Sequence, residues 1–174
     1  CVAKRASLIA GDFSKAMNAK LITLDKVQGS YRVALKRGGK ILTYDFTNMR
    51  GEKFEDDLAL RDFSVNTLAV NVADKDLRVI DVYGAVEDLN RRLLRVIKPR
   101  VFVDDPLRIL RGFSLSANYG FSIEPKTFNL MKKNKRLLKK VSGERLGQEL
   151  MKIFIPDNSL KTVLLMDKAR IIDE

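Results

Sequence analysis

The side chains best suited to chemistry lie around position 105, where a carboxylate is followed by two arginines at regular spacing. Asp105, Arg108 and Arg111 recur every three residues, so in a helix their side chains would rise along roughly one face. A carboxylate accepts a hydrogen bond from an exocyclic amine, and a guanidinium donates one to an adjacent ring nitrogen or carbonyl. Cytosine and adenine carry an amine beside a ring acceptor, whereas guanine and uracil place a carbonyl there. Such a pair of groups would select C or A and reject G or U.

The same residues also have a purely structural interpretation. Asp105 stands directly before Pro106, and this order is typical of a helix N-cap followed by proline at the first helical position. Two arginines on one helix face are commonly solvated side chains. From these residues alone, base selection and helix capping both remain open.

The charge balance favours a polyanionic partner such as nucleic acid. The 174 residues include 33 Lys plus Arg against 22 Asp plus Glu, which gives a formal net charge of +11. A merely basic surface is the alternative. Six basic residues cluster between 132 and 140, and they could be a solvated helix end or could follow a phosphate backbone.

The scarcity of cysteine and histidine excludes several kinds of site. The chain has one cysteine, Cys1, and no histidine, so it can hold neither an internal disulfide, nor a Cys/His zinc cluster, nor a histidine-dependent triad. Chemistry would have to use carboxylates, a bound metal, Lys/Arg or hydroxyls. This favours nucleotidyl or phosphoryl transfer assisted by Mg²⁺.

Membrane insertion and export are not expected. No apolar run approaches the ~20 residues that span a bilayer, and no signal or targeting sequence is visible, so the chain is expected to be cytoplasmic. It begins at Cys1 rather than Met and finishes in a pattern typical of an interrupted helix. We therefore expect it to be a fragment of a longer protein.

The hydrophobic periodicity predicts an α+β fold, with a small mixed or antiparallel sheet followed by an all-helical region. Apolar spacing indicates a helix over 2–18 and strands that include an apolar, central one at 65–72. The remaining strands are predicted at 21–24, 31–35, 41–46 and 77–80, with a Gly38-Gly39 hairpin before the strand at 41–46. A short acidic helix is predicted at 54–60. Helices are predicted over 105–118, 125–133, 143–154 and 158–168. The domain boundary is placed near Arg100, giving domains 1–100 and 101–174.

Four blocks, in order, resemble the class II tRNA nucleotidyltransferase and bacterial poly(A) polymerase family of polymerase-β-like nucleotidyltransferases. They lie at 60–69, 81–89, 104–111 and 141–150. The first, Leu60-Arg61-Asp62-Phe63-Ser64-Val65-Asn66-Thr67-Leu68-Ala69, is similar to the family's Arg-Arg-Asp-Phe-Thr-Ile-Asn-Ala-Leu block, with Leu60 replacing the first arginine. The resemblance implies that Arg61 and Asp62 contact the sugar and triphosphate of the incoming nucleotide. By their chemistry alone, an arginine could pair with phosphate and a carboxylate with a ribose hydroxyl or metal.

The other blocks carry implied roles in base selection. Asp104-Asp105-Pro106-Leu107-Arg108-Ile109-Leu110-Arg111 is similar to the motif Glu-Asp-x-x-Arg-x-x-Arg. This similarity implies that Asp105 and Arg108 recognise the base while Arg111 supports or contacts the nucleotide. A further arginine, common in the family, is Ser114 here. Block 81–89 is similar to a flexible loop of the family, in which Val82 and Ala85 replace the usual proline and second glycine. Block 141–150 is similar to a family block that braces the base-recognising helix.

The family's first block, a Gly-Gly-x-x-Arg-Asp loop and an Asp-x-Asp strand that holds two Mg²⁺ ions, has no counterpart here. The resemblance implies that Mg²⁺ is held mainly by residues upstream, with no metal site in this fragment, which alone is expected to be inactive. Asp45 and Asp62 are candidate catalytic carboxylates.

Together these patterns predict part of a template-independent nucleotidyltransferase that adds C and/or A from CTP or ATP to the 3′ end of tRNA. A poly(A) polymerase of the same family is the nearest alternative. The others are a non-catalytic RNA-binding module on the same scaffold and a basic α+β domain in which Asp105 only caps a helix.

Overall fold

The computed structural model describes residues 1–156 and 159–172. The helices are α1 (Ala6–Ala16), α2 (Phe54–Leu58), α3 (Ala85–Asn90), α4 (Val101–Asp104), α5 (Arg108–Tyr119), α6 (Pro125–Asn134), α7 (Gly143–Phe154) and α8 (Ser159–Lys168). The strands are β1 (Val2–Ala3), β2 (Lys20–Asp25), β3 (Ser30–Arg37), β4 (Lys40–Asn48), β5 (Ala69–Val70), β6 (Val79–Ile80), β7 (Leu93–Leu94) and β8 (Ser122–Ile123). The predicted α+β class is confirmed. The start predicted at 158 lies outside the described residues.

The chain divides into two compact units, Cys1–Asp57 and Leu58–Glu174. The boundary predicted near Arg100 falls inside the second unit, where residues from both sides of it share one core. As a functional division between domains 1–100 and 101–174, that boundary stays a prediction.

In the first unit, α1 packs on a four-stranded sheet of order β1-β4-β3-β2. β2, β3 and β4 form an antiparallel meander, and β1 adds to β4 in parallel. Gly38 and Gly39, with φ of +56° and +76°, make the two-residue hairpin between β3 and β4, because a turn with positive φ at both central residues matches the twist of the strands. The core consists of Ala6, Ala10, Val33 and Phe46.

In the second unit, helices surround a core that α5 largely defines. Ile109, Leu110, Phe113 and Ala117 of α5 are buried at helical spacing, together with Phe63, Leu94, Phe102, Met131 and Ile153 from the neighbouring elements. Because this apolar stripe faces the core, Arg108 and Arg111 lie outside it on the polar side of α5. The core thus sets the position of the two arginines.

The strand predicted at 65–72 is wrong. Ser64–Asn66 forms a 3₁₀ turn, and only Ala69–Val70 is a strand. It pairs with Val79–Ile80, and these two residues are the only part of the strand predicted at 77–80 that is observed. Polar side chains bond locally here, with Thr67 Oγ1 donating to the carbonyl of Ser64 at 2.6 Å. Such bonds compete with a sheet ladder.

The helix predicted from 105 begins later than expected. Asp105 has an extended backbone, with φ −148° and ψ 103°, and separates α4 from α5. Pro106 accounts for this, because its ring disfavours helical backbone in the preceding residue. Of the three side chains predicted on one helical face, only Arg108 and Arg111 are therefore in the helix.

The last helix ends at the predicted residue, Lys168, and does not continue into the residues after it, where the sequence pattern is typical of an interrupted helix. α8 stops at Lys168, and Arg170 has a left-handed φ of +53°. The N–H of Ile171 then donates to the carbonyl of Met166 at 3.0 Å, which closes the helix end as a Schellman motif does. Asp173 and Glu174 lie outside the described residues.

Gly112→Ala should destabilise the protein by about 1–3 kcal/mol, because the site has no room for a methyl group. An added Cβ would lie 2.3 Å from Met131 Cε and 2.9 Å from Cζ of the buried Phe63 ring. Gly147→Ala in α7 is the matched control, since nothing lies within 4 Å of its added Cβ, and it should stabilise by about 0.5–1 kcal/mol. Urea unfolding measures both, and equal stabilities would contradict the close packing of α5.

Candidate functional site

Asp62 is the centre of a hydrogen-bond network that joins two of the sequence blocks. Its Oδ1 accepts from the Phe63 N–H at 2.9 Å and from Asn66 Nδ2 at 2.8 Å. Its Oδ2 accepts from Arg111 Nε at 2.8 Å, although the two residues are 49 positions apart. The Asp62 side chain is 6% exposed and that of Arg111 is 45% exposed. A buried carboxylate therefore holds an arginine whose other side faces solvent.

These partners keep Asp62 ionised despite its burial. Burial by itself raises the pKa of Asp62, but the charge of Arg111 and the hydrogen bonds from Asn66 and Phe63 outweigh it, so the pKa lies below its ordinary value. With three donors on its two oxygens, Asp62 is well placed to position the chain around it.

Arg108 and Arg61 both donate hydrogen bonds to main-chain carbonyls of the segment 60–66. Arg108 Nη2 donates to the Leu60 carbonyl at 2.7 Å and Nη1 to the Val101 carbonyl at 3.5 Å. Arg61 Nη1 donates to the Asn66 carbonyl at 3.3 Å. The structure thus brings Arg61, Asp62, Arg108 and Arg111 together where the segment 60–66 meets α5.

Asp105 lies at the start of α5 and has two partners. Its Oδ1 accepts from the Leu107 N–H at 3.3 Å, which caps the turn that leads into α5, whereas Leu107, the N-cap residue of the helix itself, makes no side-chain cap hydrogen bond. Arg145 of α7 donates Nη2 to both carboxylate oxygens, at 3.4 and 3.3 Å. The Asp105 side chain is 31% exposed, so the cap leaves part of the carboxylate accessible.

α7 braces α5, as the block at 141–150 predicts. The Ser114 hydroxyl donates a short hydrogen bond to Oε1 of the buried Glu149, and Lys152 Nζ donates to Oε2 at 2.8 Å. Asn118 links the helices by donating to the carbonyls of Ser114 and Lys152, at 2.7 and 2.9 Å. Sequence reasoning missed Lys152 and Asn118. The one signal was the spacing of Lys152 three residues after Glu149.

The block at 81–89 forms a capped turn and a short helix. Asp81 accepts from the N–H groups of Ala85 and Val86 at 2.7 and 3.0 Å, and these backbone bonds lower the pKa of its carboxyl. Asp88 is buried and pairs with Arg95 at 2.7 Å. The ion pair of Asp88 therefore anchors α3. Gly84, directly before this helix, has a left-handed backbone with φ +69°.

Asp45, the other candidate catalytic carboxylate, belongs to the first unit. Arg32 on the neighbouring strand donates Nε and Nη2 to its two oxygens at 2.6 and 2.7 Å. The hydrogen bond from Arg32 is the main cause that holds the pKa of Asp45 below its usual range. A catalytic role for Asp45 or Asp62 stays a prediction.

The described residues do not fit a divalent metal site by themselves. Within 1–156 and 159–172, no group of three or more acidic, Cys or His side chains could hold a metal ion. The oxygens of Asp62 and Asp45 already accept from nitrogen donors. In the same described ranges, no helix is both long and apolar enough to cross a membrane.

Two family descriptions match this chain. "Poly A polymerase head domain" matches residues 7–95, just over half of the 174 residues. "Probable RNA and SrmB-binding site of polymerase A" matches residues 120–174.

Relatives of known name include CC-adding and CCA-adding enzymes. A CC-adding tRNA nucleotidyltransferase of Geobacter sulfurreducens is 35% identical over 162 residues, which cover 91% of this chain and 37% of that protein. A CCA-adding enzyme of Streptococcus uberis is 43% identical over 106 residues, covering 60% of this chain and 26% of the relative. The chain thus spans well under half the length of these relatives.

Solved structures agree over nearly the whole chain. A complex of a CCA-adding enzyme with ATP superposes with a TM-score of 0.87 at 30% identity, covering 99% of this chain and 42% of that one. The Thermotoga maritima CCA-adding enzyme complexed with tRNA gives a TM-score of 0.85 at 32% identity, with the same coverage. The predicted blocks are therefore embedded in a matching fold.

Proposed function

This chain belongs to the tRNA nucleotidyltransferase and poly(A) polymerase family, and from that premise we propose that its full-length protein adds C and/or A, from CTP or ATP, to the 3′ end of tRNA without a template. The observation that carries the proposal is the contact between two sequence blocks. Arg108 and Arg111 of α5 bind the segment that holds Arg61 and Asp62. Groups suited to a triphosphate and groups suited to a base are thereby adjacent.

Each residue has a proposed part in nucleotide binding. Arg61 holds the sugar and triphosphate, since a guanidinium forms paired hydrogen bonds to phosphate oxygens. Asp105 accepts from the amine of cytosine or adenine while Arg108 donates to the neighbouring ring acceptor. Asp62 fixes Arg111, whose exposed side is available to the nucleotide.

Mg²⁺ is proposed as the cofactor, held mainly by residues that this chain does not contain. A divalent ion bound there would neutralise the charge of the triphosphate and activate the attacking hydroxyl. The residues described here would contribute binding and orientation of the nucleotide. The proposed location is the cytoplasm, and the net charge of +11 suits an RNA partner.

Addition of a poly(A) tail is the second candidate, because the matching family descriptions name poly(A) polymerase. It uses the same adenine-selecting groups. The two candidate activities differ in how many nucleotides are added to the RNA and in whether CTP is a substrate.

The test is nucleotide addition by the full-length protein with Mg²⁺ and tRNA transcripts that end before, within or after CCA. The expected result is incorporation of C or A, but not G or U, that stops at a defined length. Long A tails would favour the second candidate. Equal incorporation of all four nucleotides would contradict the proposal. A protein that neither incorporates nor binds any nucleotide would also contradict it.

A further inference from the structure

The Asp105 carboxylate needs an external support to keep one orientation. It lies on the extended link between α4 and α5, and its side chain is 31% exposed. The Leu107 N–H contacts one oxygen at 3.3 Å, which is longer than the usual ~2.9 Å for such bonds. This contact alone is a weak constraint on a group that must meet the edge of a base.

Arg145 supplies the second constraint. Its Nη2 lies 3.4 and 3.3 Å from the two Asp105 oxygens. These contacts are longer than the ~2.8 Å typical of charge-assisted bonds, and the side chains are 31% and 52% exposed. The pair is therefore looser than the 2.8 Å pair of Arg111 with Asp62. It orients Asp105 without enclosing it.

The base of Arg145 is itself fixed relative to α5. Arg145 and Glu149 are four residues apart in α7 and so share one helix face. Glu149 is buried and accepts the hydrogen bond of Ser114 in α5. α7 therefore presents Arg145 at a set distance from the start of α5.

The remaining acceptor capacity of Asp105 suits an exocyclic amine. A carboxylate offers about four lone-pair sites, and the Leu107 N–H and Arg145 Nη2 leave room for a further donor. While Arg145 Nη2 is bound to Asp105, it does not donate a hydrogen bond to the carbonyl of guanine or uracil. The contact thus favours an amine over a carbonyl at the same place.

We infer that Arg145 is a positioning residue for nucleotide selection, which orients the Asp105 carboxylate toward the amine of CTP or ATP. This inference rests on the proposed function. Arg145 acts through Asp105, so its effect should vanish when Asp105 is absent. A residue that merely stabilises the fold, or raises the general attraction for triphosphates, would act whether or not Asp105 is present.

A double-mutant cycle tests this dependence in the full-length protein. Binding of CTP, ATP, GTP and UTP is titrated calorimetrically for wild type, Arg145→Ala, Asp105→Ala and the double variant. Arg145→Ala should weaken CTP and ATP about threefold to fivefold, as expected for an exposed ion pair, and leave GTP and UTP unchanged. The double variant should bind no more weakly than Asp105→Ala. Arg145→Lys should fall between wild type and Arg145→Ala, because it keeps the charge but not the planar fork.

Arg78→Ala is the matched control, since Arg78 forms an exposed ion pair with Asp76 at 2.8 Å in the same unit. It should bind all four nucleotides as wild type does. Equal weakening of all four by Arg145→Ala, or additive effects in the double variant, would overturn the inference alone. A wild-type protein without any preference for CTP and ATP would overturn the proposed function and this inference with it.

Discussion

Asp105→Ala should remove the preference of the full-length protein for CTP and ATP, raising their Kd about tenfold to a hundredfold. The carboxylate is the acceptor proposed for the base amine, and no other acidic group is assigned that part. GTP and UTP should bind almost unchanged, because Asp105 offers nothing to their carbonyls. Calorimetric titration of the four nucleotides measures the change.

Asp105→Asn separates base selection from helix capping. The amide oxygen can still accept from the Leu107 N–H in the turn that leads into α5, so stability should stay close to wild type. The preference for CTP and ATP should still be lost, since the negative charge is gone and the amide N–H₂ repels the base amine. If both variants kept the preference while Asp105→Ala lost stability, Asp105 would be a cap and nothing more.

Asp62→Ala should lower the free energy of unfolding by about 2–4 kcal/mol, the usual effect of removing one partner of a buried ion pair. The substitution leaves the Phe63 N–H, Asn66 and the Arg111 guanidinium without their shared acceptor. Urea unfolding measures the loss. Asp76→Ala removes an exposed partner of Arg78 and should change stability by less than about 0.5 kcal/mol. A similar small effect of Asp62→Ala would mean that the network does not hold this segment.

The pH dependence of stability gives the same prediction an independent check. The pKa of Asp62 is lower in the folded protein, so its contribution is fully present above the ordinary pKa of about 3.9. The contribution is lost as pH falls through the folded pKa. Asp62→Asn should therefore reduce the acid-induced loss of stability relative to wild type in that range.

Much of the fold could be predicted because local signals agreed with the tertiary structure. The glycine pair at 38–39 lies between strands of alternating pattern, and α7 was predicted with its observed bounds, 143–154. The strand predicted at 65–72 failed because an apolar run does not reveal that Asn66 and Thr67 bond to their own neighbours. Local polar bonds decided that segment, and periodicity does not measure them.

The candidate site was predictable as a set of residues but not as a set of contacts. The blocks that contain Arg61, Asp62, Asp105, Arg108 and Arg111 were all identified from sequence. Nothing in the sequence indicates that Arg111 binds Asp62, or that Arg145 binds Asp105 from 40 positions away. Such pairs depend on how the helices pack, which a single sequence does not specify.

The bond between Ser114 and Glu149 constrains how this protein can change in evolution. Glu149 is buried and has a hydroxyl partner on α5 and an ammonium partner, Lys152, on its own helix. Loss of either partner leaves a buried charge poorly compensated, and an arginine at 114 would bring a second cation beside Lys152. Substitutions at positions 114, 149 and 152 should therefore be tolerated only in compensating pairs.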